Sequence, residues 1–166
     1  IMTCLLALEN TQLTDEVTMT ATGVSGVTDG GASISSQVDE VFTVEQCLYA
    51  IMVASANDIA LQIAEHVGGS VDGFVQQMNT RAQELGCTNT VFTNPTGLPD
   101  DNQHTTAHDM ALIMQAAIQN ESFRTIAAAT SYTIPATNKA AARNLTSKFT
   151  MTDTGSTGFY EGCIGG

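Results

Sequence analysis

Between Val44 and Leu85 the apolar residues return every three or four positions, and this periodicity constrains the chain more than any other feature. Val44, Cys47, Leu48, Ile51 and Met52 make one stripe, Ile59, Ile63 and Val67 resume it after a break, and Val71, Phe74, Val75, Met78, Ala82 and Leu85 make another. Such spacing lays apolar side chains along one side of a helix, so the segment predicts consecutive helices on a common core. Their limits are chemical: residues 54–57 interrupt the first pair, Gly68-Gly69 stops the second helix, Ser70 caps the third and Gly86 ends it. Ile1, Cys4, Leu5 and Leu8 carry the pattern upstream as far as Glu9-Asn10. Downstream, Thr106-x-x-Asp109 opens like a capping box ahead of Met110, Ile113, Met114, Ala117 and Ile118, and residues 121–128 predict a further short helix.

Extended structure is sparse. Val17, Met19 and Ala21 alternate with Thr18, Thr20 and Thr22 as in a half-buried strand, residues 38–44 beyond the Asp29-Gly30-Gly31 turn supply a second extended piece, and Tyr132-Thr133-Ile134-Pro135 a third. Residues 139–149 fit neither period, and residues 152–166 are Gly-rich and weakly patterned. There is no βαβ alternation, which disfavours a parallel-sheet nucleotide fold. No repeat or linker divides the 166 residues, and 43% apolar content suffices for one core, so a single domain over residues 1–166 is expected.

Composition narrows function by exclusion. Five Lys+Arg against 17 Asp+Glu give a formal net charge of −12, which leaves no electrostatic grip on nucleic acid or anionic membrane. No stretch approaches the ~20 apolar residues of a membrane span, and residues 1–8 lack the basic start and cleavage site of a signal peptide. The first helical stripe has no cap before Ile1, as expected of a sequence cut from something longer. Cys4, Cys47, Cys87 and Cys163 form no C-x-x-C pair, and all four are expected to be unpaired.

Candidate chemistry is concentrated at the helix break. Ser55-Ala56-Asn57 is flanked by the small residues Ala54 and Ala60, which let a ligand come close. Ser55-x-x-Asp58 ahead of Ile59 also reads as a capping box, with the Ser55 hydroxyl accepting from a backbone N–H of the second helix. The two roles are compatible. The 94–101 loop, dense in Asn, Pro, Gly and Asp, is long enough to line a site. His104-x-x-x-His108 has metal-site spacing but lacks the Glu of H-E-x-x-H and a third ligand, so it reads as a loop histidine and a first-turn histidine, and no metal or organic cofactor is implied. His66, beside Glu65, reads as a partner of its helix's C-terminal dipole. The Gly-rich tail lacks P-loop spacing, and neither Lys139 nor Lys148 completes an S-x-x-K or a K-T-G. A self-contained Ser/Lys catalyst is absent from these 166 residues.

Three runs resemble one family: Phe42-Thr43-Val44-Glu45-Gln46-Cys47-Leu48-Tyr49, Ala54-Ser55-Ala56-Asn57-Asp58, and Ala64-Glu65-His66-Val67-Gly68-Gly69-Ser70. So does residues 85–100, ending Thr93-Asn94-Pro95-Thr96-Gly97-Leu98-Pro99-Asp100, with Thr105-Thr106-Ala107-His108-Asp109-Met110-Ala111 after it. Together they resemble the serine-type D-alanyl-D-alanine carboxypeptidases, low-molecular-mass penicillin-binding proteins of the transpeptidase/β-lactamase-like superfamily. In that family S-x-x-K carries nucleophile and base, S-x-N a proton relay and a substrate-holding amide, and K-T-G a cationic wall. Ile1-Met2-Thr3 is similar to the residues just after the S-x-x-K lysine, and residues 159–166 are similar to the approach to K-T-G.

The resemblance implies that Ser55 relays a proton and Asn57 hydrogen-bonds the substrate backbone. It implies a mainly α helical subdomain with a short antiparallel β hairpin, the helical part of an α+β fold missing most of its central sheet. It implies a peptidoglycan stem peptide and β-lactams as partners of the complete domain, an extracytoplasmic location, inactivity of the isolated 166 residues, and self-association through an uncovered apolar face. Ala56 stands where the family usually has Gly or Asp, which keeps a serine β-lactamase relative open. A non-catalytic helical module, using the acidic surface and the 94–101 loop, is the alternative of a different class.

Overall fold

The computed structural model describes residues 1–27 and 31–147. The three stripes become α3 (Val44–Ala54), α4 (Asn57–Gly68) and α5 (Val71–Glu84). Upstream lie α1 (Met2–Asn10), β1 (Glu16–Thr18), α2 (Ala21–Ser25) and β2 (Val41–Thr43), and downstream α6 (Ala107–Ala117), α7 (Glu121–Ala127), β3 (Ser131–Ile134) and β4 (Arg143–Thr146).

Helix α4 is the axis of the molecule, touching α1, α2, α3, α5 and β1. Ile59 and Ile63 are fully buried on it, each contributing about 2 kcal/mol by removal from water. Phe74, Met78 and Ala82 bring α5 onto the same core, which extends without a break from Met2 to Leu145. Gly69, at φ 71, ends α4 in the left-handed conformation, and the Ser70 hydroxyl accepts from Gly73 N at 3.0 Å to start α5, as the sequence predicts. Thr43 caps α3 with a full capping box, exchanging bonds with Gln46 that sequence reading did not single out.

The strands differ from expectation. The predicted strand through Ala21 stops at Thr18, because Thr20 caps the short helix α2 with its hydroxyl and Ala21 begins it. In place of one hairpin the described residues form two antiparallel pairs, β1 with β2 in the register Val17↔Phe42, and β3 with β4 in the register Tyr132↔Leu145. The ambiguous 139–149 stretch supplies β4. The β3–β4 connection folds back on β2: Val41 N donates to Asn138 Oδ1 at 3.0 Å, and Asn138 Nδ2 donates to the Asp39 carbonyl at 2.8 Å.

Cys4, Cys47 and Cys87 are free and buried. Burial, and after it the charge of Asp58, pushes the Cys47 thiol far up, so it stays protonated and apolar in character. Cys163 and the Gly-rich 152–166 tail lie outside the described residues. The large apolar side chains exposed among the described residues are Val38 and Val91, and no helix there is long and apolar enough to cross a membrane.

Candidate functional site

The break between α3 and α4 is made by Ser55 itself. Its backbone turns left-handed (φ 54, ψ 38), and its N–H and that of Ala56 both reach back to the Ala50 carbonyl. A non-glycine residue there costs about 1–2 kcal/mol relative to its relaxed conformation. The capping box expected of Ser55 and Asp58 is not formed. Ala56 is the N-cap of α4 and offers no side-chain bond, since Ser55 sits one residue too early and points outward, while the Asp58 carboxylate turns toward residues 33–36.

The turn leaves Ser55 exposed, Ala56 fully buried and Asn57 only 7% exposed. Ser55 and Asn57 line a cleft of about 140 Å³ with Ile51 and Met52 on one wall, and Ile1, Thr3, Pro95 and Thr96 on the other. The opposite wall is fixed: Thr3 Oγ1 donates to the Pro95 carbonyl at 2.7 Å. Asn94 Oδ1 gathers Thr96 N, Thr96 Oγ1 and Gly97 N, and its amide donates to the Leu98 carbonyl, which sets the 94–98 turn. Asn79 exchanges two 2.8 Å bonds with Phe92 to seat that loop on α5.

Neither the Ser55 hydroxyl nor the Asn57 carboxamide has a hydrogen-bond partner among the described residues. The amide keeps contact with solvent, whereas the buried side-chain polar atom left without a partner among the described residues is Thr93 Oγ1. Here a hydroxyl and an amide, donor and acceptor both, face open space two residues apart.

A segment running from residue 31 to residue 40 braces the turn from outside. Asn57 N donates to the Ala32 carbonyl at 2.8 Å, and Asp58, 1% exposed, accepts from the Ser33 and Ser36 hydroxyls at 2.7 Å each. The far end is held by Glu40, fully buried, which takes both Arg143 Nη1 at 2.7 Å and Nη2 at 3.0 Å. Burial alone would raise the Glu40 carboxyl, but bonds from Arg143, Thr137 and Gln37 outweigh it and hold the group below the usual carboxylate range. Among the described residues the non-glycine positions with positive φ are Ser35, Asp39 and Ser55, all in this brace or the turn.

The two histidines do not converge on the cleft: His104 bridges Val91 in the loop and His108 is in the first turn of α6. Among the described residues no three His, Cys, Asp or Glu side chains are grouped to hold a metal. Asp109 accepts from Thr90 Oγ1 and Asn89 N at 2.8 Å each, bonds that lower its carboxyl and pin the loop before residue 92. A larger cleft of about 620 Å³ lies beside Glu9, Gly73 and Arg81, but its lining has no Ser, Cys, Lys or His to activate the Thr80 hydroxyl, and its arginine is already paired with Glu9 at 2.7 Å and Glu84 at 3.1 Å. Sequence reading missed Thr3 and the residue 31–40 brace. The cluster Ser33-x-x-Ser36 was the available signal, though nothing local ties it to Asp58.

Comparison with known proteins settles the family. The profile of the D-alanyl-D-alanine carboxypeptidases, peptidase family S11, matches residues 1–163. The chain belongs to this family. It is 37% identical over 127 residues to D-alanyl-D-alanine carboxypeptidase DacF of Bacillus subtilis, covering 74% of this chain and 32% of that protein. It is 35% identical over 129 residues to DacB2 of Mycobacterium tuberculosis, covering 75% of this chain and 44% of that protein. The R248L mutant of the Streptomyces K15 DD-transpeptidase superposes with a TM-score of 0.87 at 27% identity, over 99% of this chain and 66% of that one. The chain thus spans less than half the length of these two curated relatives. The helix-rich architecture with two small antiparallel pairs is part of a transpeptidase-like fold.

Proposed function

We propose that this chain is the S-x-N-bearing helical part of an extracytoplasmic D-Ala-D-Ala carboxypeptidase that trims peptidoglycan stem peptides through an acyl-serine intermediate, and that the 166 residues alone are inactive. The observation that carries the reading is the pair of unpartnered groups, the Ser55 hydroxyl and the Asn57 carboxamide, facing a cleft walled by Ile1 and Thr3. Family membership supports the substrate class.

The chemistry divides between what is here and what is not. The S-x-x-K serine attacks the carbonyl of the D-Ala–D-Ala bond once its lysine has taken the hydroxyl proton, and backbone N–H groups hold the oxyanion. The Ser55 hydroxyl passes a proton to the departing amine, so that terminal D-Ala leaves neutral at its new nitrogen. The Asn57 amide holds the peptide backbone in line for attack. Water then cleaves the ester and restores the serine. Nucleophile and base are absent from these residues, and without them Ser55 has nothing to relay.

The test is D-Ala release from a diacyl-D-Ala-D-Ala peptide, using the 166-residue chain and a chain extended to carry S-x-x-K before Ile1 and K-T-G after Gly166. Release by the extended chain only is the expected result. Rapid β-lactam hydrolysis without D-Ala release assigns a β-lactamase instead, and a folded extended chain that does neither assigns a non-catalytic module. Self-association through an uncovered apolar face has little support in the described residues, whose exposed large apolar side chains are Val38 and Val91; in sedimentation, mass rising with concentration would keep it and a monomer throughout removes it.

A further inference from the structure

We propose that Asp58 is a positioning residue that sets the Asn57 carboxamide by clamping the segment of residues 32–36 against the start of α4. The inference rests on the role given above to Asn57.

Asp58 is the second residue of α4 and 1% exposed. A carboxylate in a first turn ordinarily faces its own helix N–H groups or water. This one faces the strap instead: Ser33 Oγ and Ser36 Oγ donate at 2.7 Å, Ser36 N at 3.2 Å and Ile34 N at 3.4 Å. No lysine, arginine or histidine pairs with it among the described residues. The strap returns the hold through the Ala32 carbonyl, which takes Asn57 N at 2.8 Å. Residues 57 and 58 are therefore gripped together, one by backbone and one by side chain.

Asn57 needs that grip because no described residue bonds its amide directly, so the aim of the amide follows from where the backbone at 57 is held. The strap is in turn anchored to the β3–β4 hairpin, where Arg143 sits on Glu40 and its Nη2 reaches the Ser35 carbonyl at 3.4 Å. Removing the Asp58 carboxylate strands the N–H groups of Ile34 and Ser36, both buried residues. They recover hydrogen bonds only by moving toward water, and that motion releases the Ala32 carbonyl from Asn57.

The experiment is a double-mutant cycle in the chain extended through S-x-x-K and K-T-G, reading the rate of labelling by a saturating fluorescent penicillin. Asp58→Ala is expected to slow labelling about tenfold in the parent, and to change it less than about twofold in an Asn57→Ala background, because the effect runs through Asn57. Losses that multiply in the double variant, or an Asp58→Ala chain that labels at the parent rate, overturn the inference while leaving the proposed function standing. If Asp58→Ala does not fold, Ser36→Ala, which removes one donor and keeps the carboxylate, carries the same cycle with the same two outcomes. A parent that is never labelled defeats the proposed function, and this inference with it.

Discussion

Two helix-to-helix junctions sit twelve residues of α4 apart and are built in opposite ways. Between α4 and α5 the left-handed position is Gly69, where a Cβ would meet nothing within 4 Å, and the next residue, Ser70, caps the following helix. Between α3 and α4 the left-handed position is Ser55, the N-cap is Ala56, and the nearby Asn57 amide bonds to no described residue. The first junction satisfies its backbone by local means alone. The second leaves its hydroxyl and amide free and relies on a distant segment for support, the arrangement expected where polar groups are reserved for a ligand.

The largest effect that sharpens this contrast lies at the ordinary junction. A Cβ on Gly68 would collide with the backbone of Phe74, so Gly68→Ala should cost about 2–3 kcal/mol, read as a lowered urea midpoint with unchanged slope. A loss below about 0.5 kcal/mol would mean that the two helices are not in close contact there. At the other junction the effect should fall on chemistry: Asn57→Ala in the chain extended at both ends should slow penicillin acylation on the order of tenfold to a hundredfold while stability changes little, because no internal bond is lost. Equal acylation rates would remove the functional side of the comparison.

A reciprocal pair tests the backbone. Ser55→Gly should stabilise the fold by about 1 kcal/mol and Gly69→Ala should destabilise it by about as much, both measured by thermal unfolding. If Ser55→Gly is neutral, the turn is less strained than its φ of 54 implies.

The smallest effect is with pH. The folded Glu40 carboxyl is held below its ordinary value of about 4.3. Its contribution is therefore complete above that value and is lost as pH falls through the lower folded value. Because Glu40 anchors the strap on Asn57 and no comparable strap among the described residues supports the α4–α5 junction, acid should reduce amide-exchange protection at Asn57 N before Gly73 N. Glu40→Gln should abolish that difference in order.

Helices were legible because their signals are local and periodic. The stripe from Val71 to Leu85 with Ser70 before it and Gly86 after it predicts α5 within a residue or two. Ser55-Ala56-Asn57 could be placed at a break for the same reason. The conformation of that break could not. A serine followed three residues later by an acidic residue is the signature of a cap, and only bonds spanning 22 to 25 residues, from Ser33 and Ser36, draw Asp58 away from that role. The Glu40–Arg143 pair spans 103 residues and likewise leaves no trace in local pattern. The second sheet escaped notice because Arg143–Thr146 buries one side chain, Leu145, which is too little for alternation to register.

The most direct measurement is the intact mass of the protein after exposure to benzylpenicillin. The account predicts one covalent penicillin on the chain extended at both ends, on the serine of its S-x-x-K, and none on residues 1–166. An adduct on the 166-residue chain, or a folded extended chain that gains no mass, would contradict it.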